Sequence, residues 1–235
     1  MLIVVLLQIL IVIWLIRHLI RGDKGPREPF FPVVYAGLLG VFAVAIAGII
    51  NAFTIPIIGL PLPGESTANI SLFSFIIGCL AIGVTEELSK ALPLKNFLQN
   101  KAYFNEVGDG IIFFGITGMV FGALENLMYA ATFGSDVGLM RILTVPFMHA
   151  GLSCIIGYAV ARRKVLGRPQ WTVSLSFTLA IGLHALYNFG IFYNQPWSRY
   201  LSLALVIIIN YMIFFLYKRA RRTDAAEVPK PVASP

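Results

Sequence analysis

The sequence predicts an all-α, polytopic membrane protein with about seven transmembrane helices, the N-terminus outside and the C-terminus cytoplasmic. Three observations point there. The 235 residues are 58% hydrophobic and 12% charged, against about 25% charge in a soluble domain. Apolar runs of about 18 residues or more, long enough to cross the bilayer core, recur along the chain. The Lys and Arg residues between the runs collect on one side. This length leaves no room for a sizeable soluble domain beside the spans. A single transmembrane unit over residues 1–217 is expected, followed by a short basic, proline-containing cytoplasmic tail over 218–235.

Span 1, Leu2–Ile20, has no basic residues ahead of it and no small-residue cleavage site behind it, so it reads as a retained helix rather than a signal peptide. Span 2 covers Val33–Phe53. The following segment, Thr54–Asn69, holds Pro56, Pro61 and Pro63 and reads as an outer surface or re-entrant loop. Span 3 is Ile70–Leu94. Span 4, Asp109–Phe133, opens on an Asp suited to N-capping and carries Gly115, Gly118 and Gly122, small residues that let another helix cross closely. Spans 5, 6 and 7 are Arg141–Ala161, Thr172–Tyr193 and Leu201–Tyr217, and Thr223–Pro235 reads as a disordered end. Trp171 at one boundary, and Tyr193, Trp197 and Tyr200 at the other, suit interfacial belts. Cys79 and Cys154 fall inside spans without metal or redox spacing and read as small packed hydrophobes.

Cytoplasmic loops are enriched in Lys and Arg. Arg17, Arg21, Lys24 and Arg27 follow span 1, Lys95 and Lys101 follow span 3, and Arg162, Arg163, Lys164 and Arg168 follow span 5. Lys218, Arg219, Arg221, Arg222 and Lys230 follow span 7, whereas Arg141 and Arg199 alone lie on the other side. An odd number of spans with the C-terminus inside satisfies this bias. It also accounts for the net charge of +7 through the bilayer surface, with no nucleic-acid partner.

Once the charges that loops and span ends accommodate are set aside, four remain inside: Glu86, Glu87 and Lys90 on span 3 and Glu125 on span 4, joined by His149 on span 5 and His184 on span 6. His18 sits at a span end and is set aside. Charge at mid-bilayer is expensive, so such groups face a protein interior and mark function. Glu86 and Lys90 share a helix face, as do His184 with Asn188 and Phe121 with Glu125, while Glu87 is turned by about 100° from Glu86. At about 1.5 Å per residue, Glu86 lies roughly 12 Å from the cytoplasmic end of its span, the histidines roughly 18 Å and Glu125 roughly 24 Å.

Hydrolysis of a peptide bond in a dry cavity needs a held and deprotonated water and a stabilised oxyanion. A carboxylate can act as base. Zinc bound by two His and one Glu would lower the pKa of a water in the fourth position to about 7. His149, His184 and one of Glu86, Glu87 or Glu125 supply that ligand set; another glutamate is left as base, and Asn188 or Asn126 as oxyanion donor. The bland alternatives are a structural ion pair of Glu86 or Glu87 with Lys90, core histidines, and amides that bridge helices. Carboxylate–histidine chains also serve ion- or proton-coupled transporters, although no inverted repeat is apparent, and a non-catalytic scaffold is a third reading.

Four blocks in one order sharpen this: Thr85-Glu86-Glu87-Leu88-Ser89-Lys90, an EExxK motif; Gly108-Asp109-Gly110 through Phe121-Gly122-Ala123-Leu124-Glu125-Asn126, a DG pair with FxxxEN; Met148-His149-Ala150-Gly151; and Leu183-His184-Ala185-Leu186-Tyr187-Asn188, an HxxxN motif. In these the sequence resembles the PrsW family of intramembrane proteases, more distantly related to CAAX-prenyl endopeptidases and bacteriocin-processing membrane proteins. That wider group carries EExxxR where this chain has Lys90, and FxxxH where it has Glu125. The resemblance implies a membrane-embedded peptidase of the bacterial cell membrane. Its implied catalytic residues are Glu86, Glu87, Glu125 and Asn188, and its implied metal ligands His149, His184 and Glu87, with zinc as cofactor. A metal-free, glutamate-type mechanism is the alternative. Family roles include site-1 cleavage of a membrane-spanning anti-sigma factor, which implies a single-span membrane protein as substrate.

Overall fold

The computed structural model describes residues 1–22, 30–59, 70–193 and 195–227. Among these every regular element is an α-helix: α1 Leu2–Gly22, α2 Phe30–Ile58, α3 Leu72–Leu98, α4 Val107–Phe133, α5 Ser135–Arg141, α6 Thr144–Leu166, α7 Gln170–Phe192 and α8 Pro196–Glu227. All but α5 are long and apolar enough to cross a membrane, which gives the seven spans predicted. Lys24, Arg27 and Lys230, the prolines Pro61 and Pro63, and residues 228–235 lie outside the described residues.

The departures from prediction are local and have physical causes. The predicted span 5 is broken at its start: Arg141 ends α5, and α6 begins only at Thr144. Pro146 explains the restart, because proline lacks the N–H that a continuous helix would need and is tolerated in a first turn. Thr54–Ile58 continues α2 instead of opening a loop, with Pro56 inside the helix and Gly59 N closing the last turn on Pro56 O at 3.2 Å. The expected disorder from Thr223 is likewise overturned as far as Glu227, where α8 is still helical. The Asp224 carboxylate anchors this end by accepting from Val107 N at 2.7 Å and Gly108 N at 2.9 Å, the first turn of α4. Glu106, not Asp109, is the N-cap of α4; Asp109 stands two residues inside the helix, at N3, and its carboxylate accepts from Asn105 N at 2.7 Å and Glu106 N at 2.8 Å as the returning half of a capping box. Gly167, at φ 64°, takes the left-handed turn that ends α6.

α4 and α6 form the centre, with 89% of their most apolar stretches buried, against 17–39% in the other five spans. The predicted glycine row explains how they approach. A side chain at Gly115 would fall 2.8 Å from Cys154 Sγ, one at Gly118 would meet Ser153 Oγ and the His149 carbonyl, and one at Gly122 would lie 2.8 Å from His149 Cδ2. Further along the same seam Gly110 and Gly157 face each other's carbonyls. The remaining spans ring this pair and turn apolar faces outward, as at Leu2, Phe31, Ile57, Phe73 and Tyr211, which suits lipid as solvent.

Candidate active site

The four spans α3, α4, α6 and α7 bring the internal polar residues together. α3 runs four residues beyond its predicted end, which places Glu86 roughly 18 Å from the helix terminus; counted to the observed ends, His184 lies roughly 21 Å in, His149 roughly 26 Å and Glu125 roughly 27 Å. Helix packing closes the rest of the gap. Glu86, Glu87, Lys90, His149, His184 and Asn188 are all buried.

Glu87 is fully buried and binds in two directions. Lys90 Nζ donates to its Oε1 at 2.7 Å, and His184 Nδ1 lies 2.7 Å from the same oxygen. A carboxylate only accepts, so Nδ1 carries the proton and Nε2 of His184 presents a lone pair to the interior. Lys90 also reaches His149 Nδ1 at 2.8 Å. An ammonium only donates, so His149 bears its proton on Nε2 and gives it to Glu125 Oε2 at 2.6 Å. Phe121, one turn before Glu125, packs its ring against that of His149, tilted by 48° with centroids 4.8 Å apart. The FxxxE spacing thus grips one imidazole from two sides.

Glu86 differs. One oxygen, Oε1, accepts from Asn51 Nδ2 at 3.2 Å. The other, Oε2, is buried without a hydrogen-bond partner among the described residues, 3.5 Å from His184 Nε2 and 3.9 Å from His149 Nε2. One ligand atom from each of Glu86, His149 and His184 falls within 4.8 Å of the others. Ligands of a tetrahedral zinc, at bonds of about 2.0–2.1 Å, stand about 3.3 Å apart, so a modest contraction would close this set. The His184–Glu87 pair has the carboxylate–histidine arrangement that orients a metal ligand. Glu86 Oε2 and His184 Nε2 suit a divalent ion as they stand; His149 would join them through Nε2 only with its proton moved to Nδ1 and the Lys90 contact opened. Glu86, turned about 100° from Glu87 on the same helix, is the carboxylate that faces the two Nε2 atoms. Glu87, expected among the ligands, is turned instead to Lys90 and to the far nitrogen of His184.

A cavity of about 210 Å³ opens onto these groups between α2, α3, α4 and α7, lined by Asn51, Glu86, Phe121, Glu125, His184 and Asn188 among others. Asn188, one turn after His184, is thus brought to the site. Asn126 is not: its Nδ2 donates to Gln8 Oε1 at 2.8 Å and Gly138 O at 3.1 Å, tying α4 to α1 and α5. That geometry withdraws it as an oxyanion donor.

Two site residues escape the motif reading. Arg141, counted above only as an outer charge, donates to Glu125 Oε1 at 2.7 Å and stacks 3.9 Å over Tyr129. Asn51 comes from α2, outside the four blocks, and its signal is a lone amide within an apolar run.

The family model for PrsW family intramembrane metalloproteases matches residues 28–217. The chain is 26% identical over 217 residues to a protein named protease PrsW from Bacillus subtilis, covering 91% of this chain and 94% of that one. It is 33% identical over 161 residues to a protein of the same name from Halalkalibacterium halodurans, 68% and 70% of the two chains. A third, from Clostridioides difficile, is 24% identical over 195 residues, 80% of this chain and 78% of that one. No solved structure matches the chain.

Proposed function

The chain belongs to the PrsW family of intramembrane metalloproteases, and from that premise we propose that it hydrolyses a peptide bond of a single-span membrane protein, such as an anti-sigma factor, in the cavity at Glu86, His149 and His184. The observation that supports this reading most is the unpartnered Glu86 Oε2 between two imidazole Nε2 atoms. A buried oxygen in such a position suits a water, a scissile carbonyl or a metal ion.

Each chain residue has a distinct task. Glu87 holds His184 in the tautomer whose Nε2 lone pair faces the cavity. Lys90 neutralises Glu87 and, by donating to Nδ1, makes His149 a proton donor toward Glu125. Asn188, on the cavity wall, is the side-chain donor for the oxyanion that develops as water attacks. Zinc would be held by Glu86 Oε2, by Nε2 of His184 and by Nε2 of His149, the last only with its proton moved to Nδ1 and the Lys90 contact opened, and would supply Lewis acidity that brings the pKa of a water to about 7. With Glu86 so engaged, Glu125 is the carboxylate left beside the cavity to take the water's proton.

A metal-free reading has its own observation. His149 is engaged at both nitrogens, by Lys90 and by Glu125, so no lone pair is free for an ion, and Glu86 Oε2 is then itself the base. Elemental analysis of the purified protein separates the two: one zinc per chain and loss of activity with a chelator support the first, and full activity without zinc the second. Cleavage of a single-span reporter in vesicles tests both. Undiminished cleavage by the Glu86→Ala/Glu87→Ala double variant overturns the peptidase assignment to this site. The bacterial cell membrane, with the basic ends of the spans at the cytoplasm, is the setting that this function implies.

A further inference from the structure

Asn51 is the polar group at the cavity for which neither the motifs nor a packing role accounts. Its Nδ2 donates to Glu86 Oε1, which employs one half of the amide. The other half, Oδ1, is buried and has no hydrogen-bond partner among the described residues, on a side chain that lines the cavity. An amide oxygen left unpaired in apolar surroundings is costly, and α2 is otherwise built from apolar and small residues that would avoid it. The wall beside it is open: a side chain at Gly48, three residues earlier and lining the same cavity, would meet nothing within 4 Å.

The substrate chemistry supplies the missing partner. A helix must unwind for water to reach a scissile carbonyl, and unwinding in lipid strands backbone N–H groups that have no solvent to bond. A fixed acceptor beside the attacking groups would satisfy one of them. We propose that Asn51 is a substrate-binding residue of the active site: Nδ2 holds Glu86 Oε1 so that Oε2 faces the imidazoles, and Oδ1 accepts a backbone N–H of the unwound substrate next to the scissile bond. This role rests on the peptidase reading of the site and adds to it a backbone anchor on α2.

The test pairs full-length variants in vesicles with single-span reporters in which one amide at a time near the scissile bond is replaced by an ester, removing a single N–H. On the all-amide reporter Asn51→Leu lowers kcat/KM by about tenfold or more, the scale of a lost hydrogen bond in a dry site. At one ester position the wild type suffers a comparable loss, and there Asn51→Leu costs about tenfold less than it does on the all-amide reporter, because the substrate bond is already gone and only the hold on Glu86 Oε1 remains to be lost. Losses that multiply at every ester position overturn the anchor. Thermal unfolding in detergent shows whether Asn51→Leu is folded; if it is not, Asn51→Ser takes its place in the same cycle. Glu86→Gln is run alongside. If it cleaves as well as wild type, the peptidase reading falls and this role with it. If it is inactive while the Asn51 and ester losses multiply, the Asn51 role alone falls.

Discussion

Replacing Glu87 by Gln separates the structural from the catalytic work of the EExxK motif. Glu87 Oε1 accepts from Lys90 Nζ and from His184 Nδ1, each at 2.7 Å, with Glu87 and Lys90 almost wholly buried. The amide removes the negative charge and leaves Lys90 uncompensated, a loss of about 3 kcal/mol at the low end for a broken buried pair. It also frees His184 to carry its proton on Nε2, pointing at Glu86 Oε2 and filling the position proposed above for water or metal. Loss of such an orienting partner lowers activity by about 10–100-fold. The two effects come apart in Glu87→Gln/Lys90→Met, where no charge is stranded. Stability, followed by thermal unfolding in detergent, recovers most of its loss, while reporter cleavage per folded molecule stays down by at least about tenfold. A double variant that regains both stability and cleavage would refute the orienting role and reduce the motif to an ion pair.

Other predictions follow from single contacts. Arg141→Ala strips Glu125 of its 2.7 Å guanidinium partner, a charge-assisted bond of about 1.5–3 kcal/mol; cleavage should fall by at least about tenfold, and an unchanged rate removes Arg141 from the site. Gly118→Ala drives a methyl into the His149 carbonyl and Ser153 Oγ, so α6 must move at the level of His149; overpacking of about 1–3 kcal/mol should appear as a lower unfolding temperature together with lost cleavage, and a fully active, stable variant contradicts the close crossing. Asp224→Ala frees Val107 N and Gly108 N; a lost helix cap of about 1 kcal/mol should lower the unfolding temperature while the folded enzyme keeps its rate. Asn126→Leu breaks the contacts to Gln8 and Gly138 and should likewise change stability rather than the rate of the folded enzyme.

The spans were legible because lipid demands long apolar runs, and the polar residues of α3, α4, α6 and α7 stood out against them. Which of two adjacent glutamates faces the cavity was not legible. Glu86 and Glu87 differ by one step of rotation, and the rotation of α3 about its axis is set by packing on α2 and α7, which no spacing within α3 encodes. Arg141 was hidden because an Arg at a span end has an adequate explanation in water; only the break before Pro146 and the turn of α5 bring it over Glu125. Asn51 was hidden because α2 carries none of the ionisable residues by which the other spans were recognised. Asp224 was hidden because a charged chain end resembles a solvated tail until its partner, the first turn of α4, is known.

The Glu87–Lys90 pair also bears on how the protein is made. α1, α2 and α8 have mean hydropathies of 2.6, 2.5 and 2.1, whereas α3, α4, α6 and α7 fall to 1.4–1.8 because they carry the polar residues of the site. As the chain leaves the ribosome, α3 must enter the bilayer before α6 and α7, the helices that bear His149 and His184, have been synthesised. A carboxylate and an ammonium three residues apart on one helix, 2.7 Å from each other, neutralise themselves without outside help. α3 therefore carries through insertion the counter-ion that its later partners will share, and only Glu86 must wait for them.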